Sequence, residues 1–191
     1  MNSDRNIVLL GFMGTGKSAV GQILARRLGL DFVDLDKRIE ADAGAVIPEI
    51  FRSEGEDGFR ARERRAVQEV SLRSGLVIAS GGGVVLNPDN VRDLDSTGSL
   101  VCLTATPETI LSRVGGDSER PLLQGGAPLS RIRDLLIRRS PYYAGIAVQV
   151  ATDGLGADAV ADAVLAALVA GGRHNTPQSI GKAEPSAVRL N

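Results

Sequence analysis

Ile7-Val8-Leu9-Leu10, followed by Gly11-Phe12-Met13-Gly14-Thr15-Gly16-Lys17-Ser18, is the stretch whose reading decides the fold. Four consecutive apolar residues suit a strand buried on both faces, as in a parallel sheet. From Lys17 to Leu28, apolar residues fall at Val20, Ile23, Leu24 and Leu28, a helical spacing that Gly29 closes. The octapeptide between strand and helix fits G-x-x-x-x-G-K-[ST]. Its glycines let backbone N–H groups turn inward around phosphate oxygens, and the helix N-terminus adds favourable polarity. In that arrangement Lys17 reaches the β- and γ-phosphates and Ser18 offers its hydroxyl to Mg²⁺, with Gly14, Thr15 and Gly16 forming the cradle.

Working outward, Phe32-Val33, Leu76–Ala79, Leu100–Leu103 and Ala147–Ala151 read as four further strands. Helical stretches separate them. The chain from Lys37 to Ser74 reads as mostly helical, with breaks at Gly44 and at Gly55–Gly58. Asn87-Pro88 and Thr106-Pro107 are helix starts, with a capping residue and proline at the first helical position. Ser130–Arg139 and Asp158–Ala170 complete the helices. This alternation predicts an α/β fold with a five-stranded parallel sheet and helices on both faces. Residues 1–170 read as one domain, 115–128 as a polar, Gly-rich and mobile segment, and 171–191 as a flexible tail.

Composition narrows the chemistry. With 191 residues, 43% hydrophobic and 24% charged, the chain is sized for a single packed domain. A net charge of −1 and 3% aromatic residues argue against a general nucleic-acid binder. Cys102 and His174 are the sole members of their types, so disulfides, cysteine zinc sites and Ser-His-Asp catalysis are poor expectations. The longest stretch free of Asp, Glu, Lys and Arg runs from Ser74 to Pro88, too short for a membrane span. No signal peptide is visible, which makes a reducing cytoplasmic location the expectation. None of Lys17, Lys37 and Lys182 lies in an Asn-Lys-x-Asp sequence, against a typical GTPase, and His174 precedes Asn175, against a protein-kinase H-R-D.

On the acceptor side, Asp34-Leu35-Asp36 follows the second strand where open α/β sheets place ligands. Its two carboxylates can divide metal support from interaction with an attacking hydroxyl, although Asp34 equally suits a plain helix cap. Arg60 lies in a run of charge that suits a solvated helix face, and Gly81-Gly82-Gly83 suits either a turn or close approach to a substrate. Arg120 and Arg139 read as surface charges or anion ligands. Arginines binding a carboxylate and an aspartate at a hydroxyl, beside a phosphate loop, amount to a small-molecule kinase with an anionic acceptor.

These residues together resemble the shikimate kinase family over about residues 5–170. The resemblance rests on Gly11–Ser18, Asp34-Leu35-Asp36, Ile50-Phe51 with Gly55-Glu56, and Phe59-Arg60 with Glu63. It continues through Gly81-Gly82-Gly83, Arg120-Pro121-Leu122-Leu123 and Arg139-Ser140-Pro141-Tyr142-Tyr143. It implies a P-loop fold of the nucleoside-monophosphate-kinase type, with a substrate-binding segment at about 34–75 and a lid at about 115–128. The implied reaction moves the γ-phosphoryl group of ATP to the 3-hydroxyl of shikimate, towards chorismate and the aromatic amino acids, in a monomer.

By the same resemblance, Lys17 stabilises the transferring group, Ser18 ligates Mg²⁺ and Asp34 supports the ion through water. Asp36 meets the acceptor hydroxyl, Arg60 and Arg139 bind the carboxylate, and Gly82 and Gly83 contact ring hydroxyls. Arg120 is the implied lid arginine and Arg113 the implied adenine-side arginine. Ala19 stands where threonine is common, and Thr152–Ala157 lacks a proline often found before the last helix. A gluconate kinase or a non-catalytic nucleotide-binding domain would share the P-loop, but not the ordered set of the other motifs.

Overall fold

The computed structural model describes residues 5–114 and 127–171. Five strands, β1 (Asn6–Gly11), β2 (Asp31–Asp34), β3 (Leu76–Ala79), β4 (Gly98–Thr104) and β5 (Val148–Ala151), form one sheet. Their order is β2-β3-β1-β4-β5, and every neighbouring pair is parallel. Strand β1 sits in the middle and is buried along its whole length. That position accounts for its unbroken apolar run.

Alternate side chains of each strand serve opposite faces. On one face Ile7, Leu9, Val77, Val101 and Leu103 pack with α1 (Lys17–Leu28) and α7 (Ala157–Gly171). On the other, Val8, Leu10, Ile78 and Cys102 pack under α2 (Leu35–Ala43), α3 (Ile47–Ser71), α4 (Pro88–Thr97), α5 (Pro107–Val114) and α6 (Pro128–Ala144). The expected sheet with helices on both faces is present. Among the described residues no helix is long and apolar enough to cross a membrane.

The ends of elements follow local chemistry. Asn87 caps α4 by accepting from the Asp89 N–H at 2.9 Å, with Pro88 at the first turn. Gly44 closes α2 in the left-handed region at φ 64°. The second expected break is narrower than the sequence suggested. Only Gly55, at φ 72° and ψ −174°, leaves helical geometry, and α3 resumes through Gly58.

Several details differ from the sequence reading. A 3-10 turn at Val84–Leu86 follows the glycines, and β4 runs longer than expected because it pairs with β1 from Asn6↔Gly98 onward. Helix α6 continues past Arg139 through Pro141. A proline there cannot bond the carbonyl four residues back, but the Ser140 hydroxyl donates to that carbonyl, of Ile137, at 3.0 Å. The expected mobile segment 115–128 lies outside the described residues except Ala127 and Pro128, and the tail is described only at Gly171.

Candidate active site

The C-terminal ends of β1, β2 and β3 converge on one side of the sheet, where parallel α/β folds gather ligands. Gly11, Gly14 and Gly16 take positive φ angles of 135°, 74° and 94°. At Gly11 a side chain would also strike the Leu103 carbonyl, so the turn out of β1 admits glycine alone. The Thr15 hydroxyl donates to the Phe12 carbonyl at 2.8 Å. The Lys17 ammonium donates to the Gly11 and Phe12 carbonyls at 2.9 and 2.8 Å, folded over the loop and largely buried. Ala19 is exposed in the first turn of α1 and brings no polar atom of its own.

Asp34 divides its carboxylate. One oxygen accepts from the Asp36 and Lys37 N–H groups at 3.1 and 3.3 Å, capping α2. The other accepts from the Ser18 hydroxyl at 2.5 Å. The cap reading of Asp34 is observed, and its second oxygen is turned to Ser18 at the start of α1. The pair places a hydroxyl and a carboxylate at the loop's mouth, the donor set a P-loop uses when nucleotide oxygens and water complete a hard cation's shell.

The Gly81–Gly83 turn lies against this loop with almost no gap. A side chain at Gly82 would come within 3.2 Å of the Met13 backbone nitrogen, and one at Gly81 within 2.5 Å of Asp36 Oδ1 and 3.4 Å of Glu63 Oε1. Any Cβ at Gly83 would meet the Arg60 guanidinium. Arg60 donates from Nη1 to both Glu63 oxygens at 3.0 and 2.9 Å, and from Nη2 to Glu56 at 3.1 Å. Glu63 is only 2% exposed. Burial pushes its carboxyl above the usual range and outweighs the two-point contact with Arg60; Asp36 adds to the rise, while Arg139 opposes it.

Arg139 reaches the same glycines from α6. It is buried, stands over the Phe12 ring at 5.7 Å and donates to the Gly82 carbonyl at 3.3 Å. The Tyr143 hydroxyl donates to that carbonyl at 2.6 Å. Asp36, Arg60, Arg139, Gly82 and Gly83 thus meet at one place, brought there by β2, α3, α6 and the turn after β3.

Arg113 sits elsewhere on the rim. Its guanidinium donates to the Gly14 carbonyl at 3.2 Å, to the Thr152 hydroxyl at 2.9 Å and to the Thr152 carbonyl at 2.7 Å. It ties the phosphate loop to the end of β5. Asp153 next to it accepts from the N–H and hydroxyl of Thr106 at 2.9 and 2.7 Å. Hydrogen bonding from Thr109 first, and from Thr106, lowers its carboxyl to about 2. Arg120 lies outside the described residues.

Sequence reasoning gave no role to Glu63, Tyr143 or Asp153. Glu63 was hidden in a charge run, and the only sign of burial was its spacing from Phe59, Ala66, Val67 and Val70, which share its side of α3. Two adjacent tyrosines gave no cue to which is buried. The Asp153–Thr106 bond joins positions 47 residues apart, beyond any local pattern.

Residues 13–169 match the sequence model of a family described as shikimate kinase. A shikimate kinase of Symbiobacterium thermophilum is 49% identical over 151 residues, covering 78% of this chain and 87% of that one. One of Moorella thermoacetica is 48% identical over 165 residues, or 86% and 95% of the two chains. Among solved structures, the shikimate kinase of Acinetobacter baumannii in complex with shikimate superposes with a TM-score of 0.84 at 40% identity. That match spans 87% of this chain and 94% of the other.

Proposed function

Because this chain belongs to the shikimate kinase family, we propose that it transfers the γ-phosphoryl group of ATP to the 3-hydroxyl of shikimate, releasing ADP and shikimate 3-phosphate. The observation that carries the reading is the contact of the two half-sites. The Gly81–Gly83 turn touches the phosphate loop on one side and Asp36, Arg60 and Arg139 on the other. A hydroxylated carboxylic acid held there has its acid end between arginines and a hydroxyl beside Asp36.

Each residue then has one task. Arg60 and Arg139 bind the carboxylate, for which the planar guanidinium fork is suited. Backbone groups of Gly82 and Gly83 meet the ring hydroxyls, and the absence of Cβ lets the turn pack against Met13 and the Arg60 guanidinium. Asp36 accepts the hydrogen bond of the attacking hydroxyl and takes its proton as the oxygen–phosphorus bond forms, later passing it to solvent. Lys17 exchanges the Gly11 and Phe12 carbonyls for phosphate oxygens and balances charge as the bond to ADP breaks.

Gly14, Thr15, Gly16 and Ala19 line the nucleotide's phosphate end, and Arg113 its adenine side. Mg²⁺, which ATP-dependent kinases use, supplies charge neutralisation at the β/γ oxygens; Ser18 would ligate it and Asp34 would support it through water. Helices α2 and α3 form the acceptor-binding segment and 115–128 the lid. Arg120 on that lid closes over the transferring group, so Arg120→Ala should lower kcat roughly 10- to 100-fold with little change in the KM for shikimate, as steady-state kinetics would read.

The direct test is ADP release with ATP and Mg²⁺ on adding shikimate, gluconate, a nucleoside monophosphate or no acceptor. Release that depends on shikimate is expected. Release with another acceptor keeps the kinase and overturns the substrate; nucleotide binding without turnover would favour a binding domain.

A further inference from the structure

Gly82 carries an unusual share of the site's contacts through its carbonyl. Two side chains of α6 converge on that oxygen, the Tyr143 hydroxyl at 2.6 Å and Arg139 Nη1 at 3.3 Å. The shorter bond belongs to Tyr143, whose hydroxyl also accepts a hydrogen bond from Arg139. We propose that Tyr143 is a positioning residue for acceptor binding, its hydroxyl pinning the Gly82 carbonyl so that the Gly82–Gly83 peptide keeps the orientation the acceptor needs. The proposal rests on the reading of Gly82 and Gly83 as acceptor contacts.

The peptide geometry supplies the link. A trans peptide points its C=O and N–H in opposite directions, and the described chain has only trans bonds. Holding the Gly82 oxygen against α6 therefore turns the Gly83 N–H away from α6. Gly83 itself lies against the guanidinium of Arg60. A rotation of this one peptide would move an N–H donor and disturb the space beside a carboxylate-binding arginine.

Arg139 alone cannot keep the peptide in place during turnover. A substrate carboxylate competes for the same guanidinium N–H groups, and the 3.3 Å bond to Gly82 is the one available for exchange. When that bond is given up, a half-buried carbonyl would lose a partner at the moment the site must be most ordered. Tyr143 prevents this. Its residue is 7% exposed, and burial pushes its phenol up to about 12, so it stays a donor through the working pH range. Its own carbonyl accepts from Gln149 Nε2 and from the Ile146 N–H, each at 3.0 Å, which fixes the base of the side chain.

Tyr142 provides an internal control, because it is chemically identical, adjacent and 49% exposed. The test compares Tyr143→Phe and Tyr142→Phe with the wild-type enzyme for melting temperature, kcat, and the separate KM values for shikimate and ATP. Tyr143→Phe should fold and raise the KM for shikimate about five- to tenfold, leaving the KM for ATP and kcat nearly unchanged. Tyr142→Phe should match wild type.

An unchanged KM for shikimate in Tyr143→Phe overturns the proposal. So does a parallel rise in both KM values, or a variant that melts below the assay temperature, since either would make the hydroxyl a general staple of the fold. If the wild-type enzyme uses another acceptor and not shikimate, the substrate reading falls, and the KM for that acceptor decides on Tyr143 by the same criterion. If no acceptor supports turnover, both readings fall.

Discussion

Asp36→Asn should lower turnover with shikimate by about 10²- to 10⁴-fold while ATP affinity stays nearly constant. The substitution keeps the shape and removes the charge and basicity. It also leaves α2 intact, because the helix cap is the Asp34 side chain, which bonds the backbone N–H of residue 36 and not its carboxylate. Electrostatics add a second, opposite effect. Asp36 raises the pKa of buried Glu63, so the two carboxylates repel each other across Gly81. Relieving that repulsion should raise the melting temperature of Asp36→Asn slightly. An inactive variant that is at least as stable as wild type would separate catalysis from folding at this position. Single-turnover kinetics, nucleotide titration and a melting curve on one preparation decide it; wild-type turnover would remove Asp36 from the acceptor hydroxyl.

Arg60→Ala is expected to act twice, on binding and on stability. Loss of a charge-assisted carboxylate ligand should raise the KM for shikimate roughly a hundredfold, with the KM for ATP nearly unmoved. Glu63 then remains 2% exposed without its two-point partner. Breaking such a pair from one side costs about 3 kcal/mol, or roughly 6–12 °C in a domain of this size.

The loss should depend on pH. Burial already lifts the Glu63 carboxyl above its ordinary value, and Arg60 is the main group pulling it down. Without Arg60 the folded-state pKa rises further above the unfolded one. The folded state then holds its proton more tightly, so stability is greatest below the ordinary glutamate range and falls as pH rises through the raised pKa. The melting gap between variant and wild type should widen from about pH 5 to pH 8. Arg60→Ala/Glu63→Gln should recover much of the stability and none of the shikimate affinity. A double variant that regains both would show that Arg60 serves only to neutralise Glu63.

Much of this was legible in the sequence because it is written in short-range patterns. The run Ile7–Leu10 and the glycines after it define the central strand and phosphate loop together, since one turn admits only glycine and the other neighbours are fixed by period. Asn87-Pro88 and Gly44 marked helix ends by local chemistry. What stayed hidden depends on distance along the chain. Arg60 and Arg139, 79 positions apart in number, are paired by the resemblance and by no local pattern; they meet because α3 and α6 both cover one face of the sheet. The burial of Glu63 and the choice of Tyr143 over Tyr142 are properties of packing, and charge runs and paired tyrosines carry no local sign of either. The continuation of α6 through Pro141 was hidden for a similar reason: the compensation comes from the hydroxyl of Ser140, a residue usually read as a helix stop.

The narrow wall between Gly82 and Met13 also bears on how the protein can be inhibited. With 3.2 Å between a side chain at one and the backbone of the other, only a single layer of backbone separates the proposed phosphate subsite from the proposed acceptor subsite. A single molecule carrying both an adenosine phosphate chain and a cyclic polyol acid would need only a short tether to occupy the two subsites, and its affinity would draw on both without the entropy of bringing two ligands together.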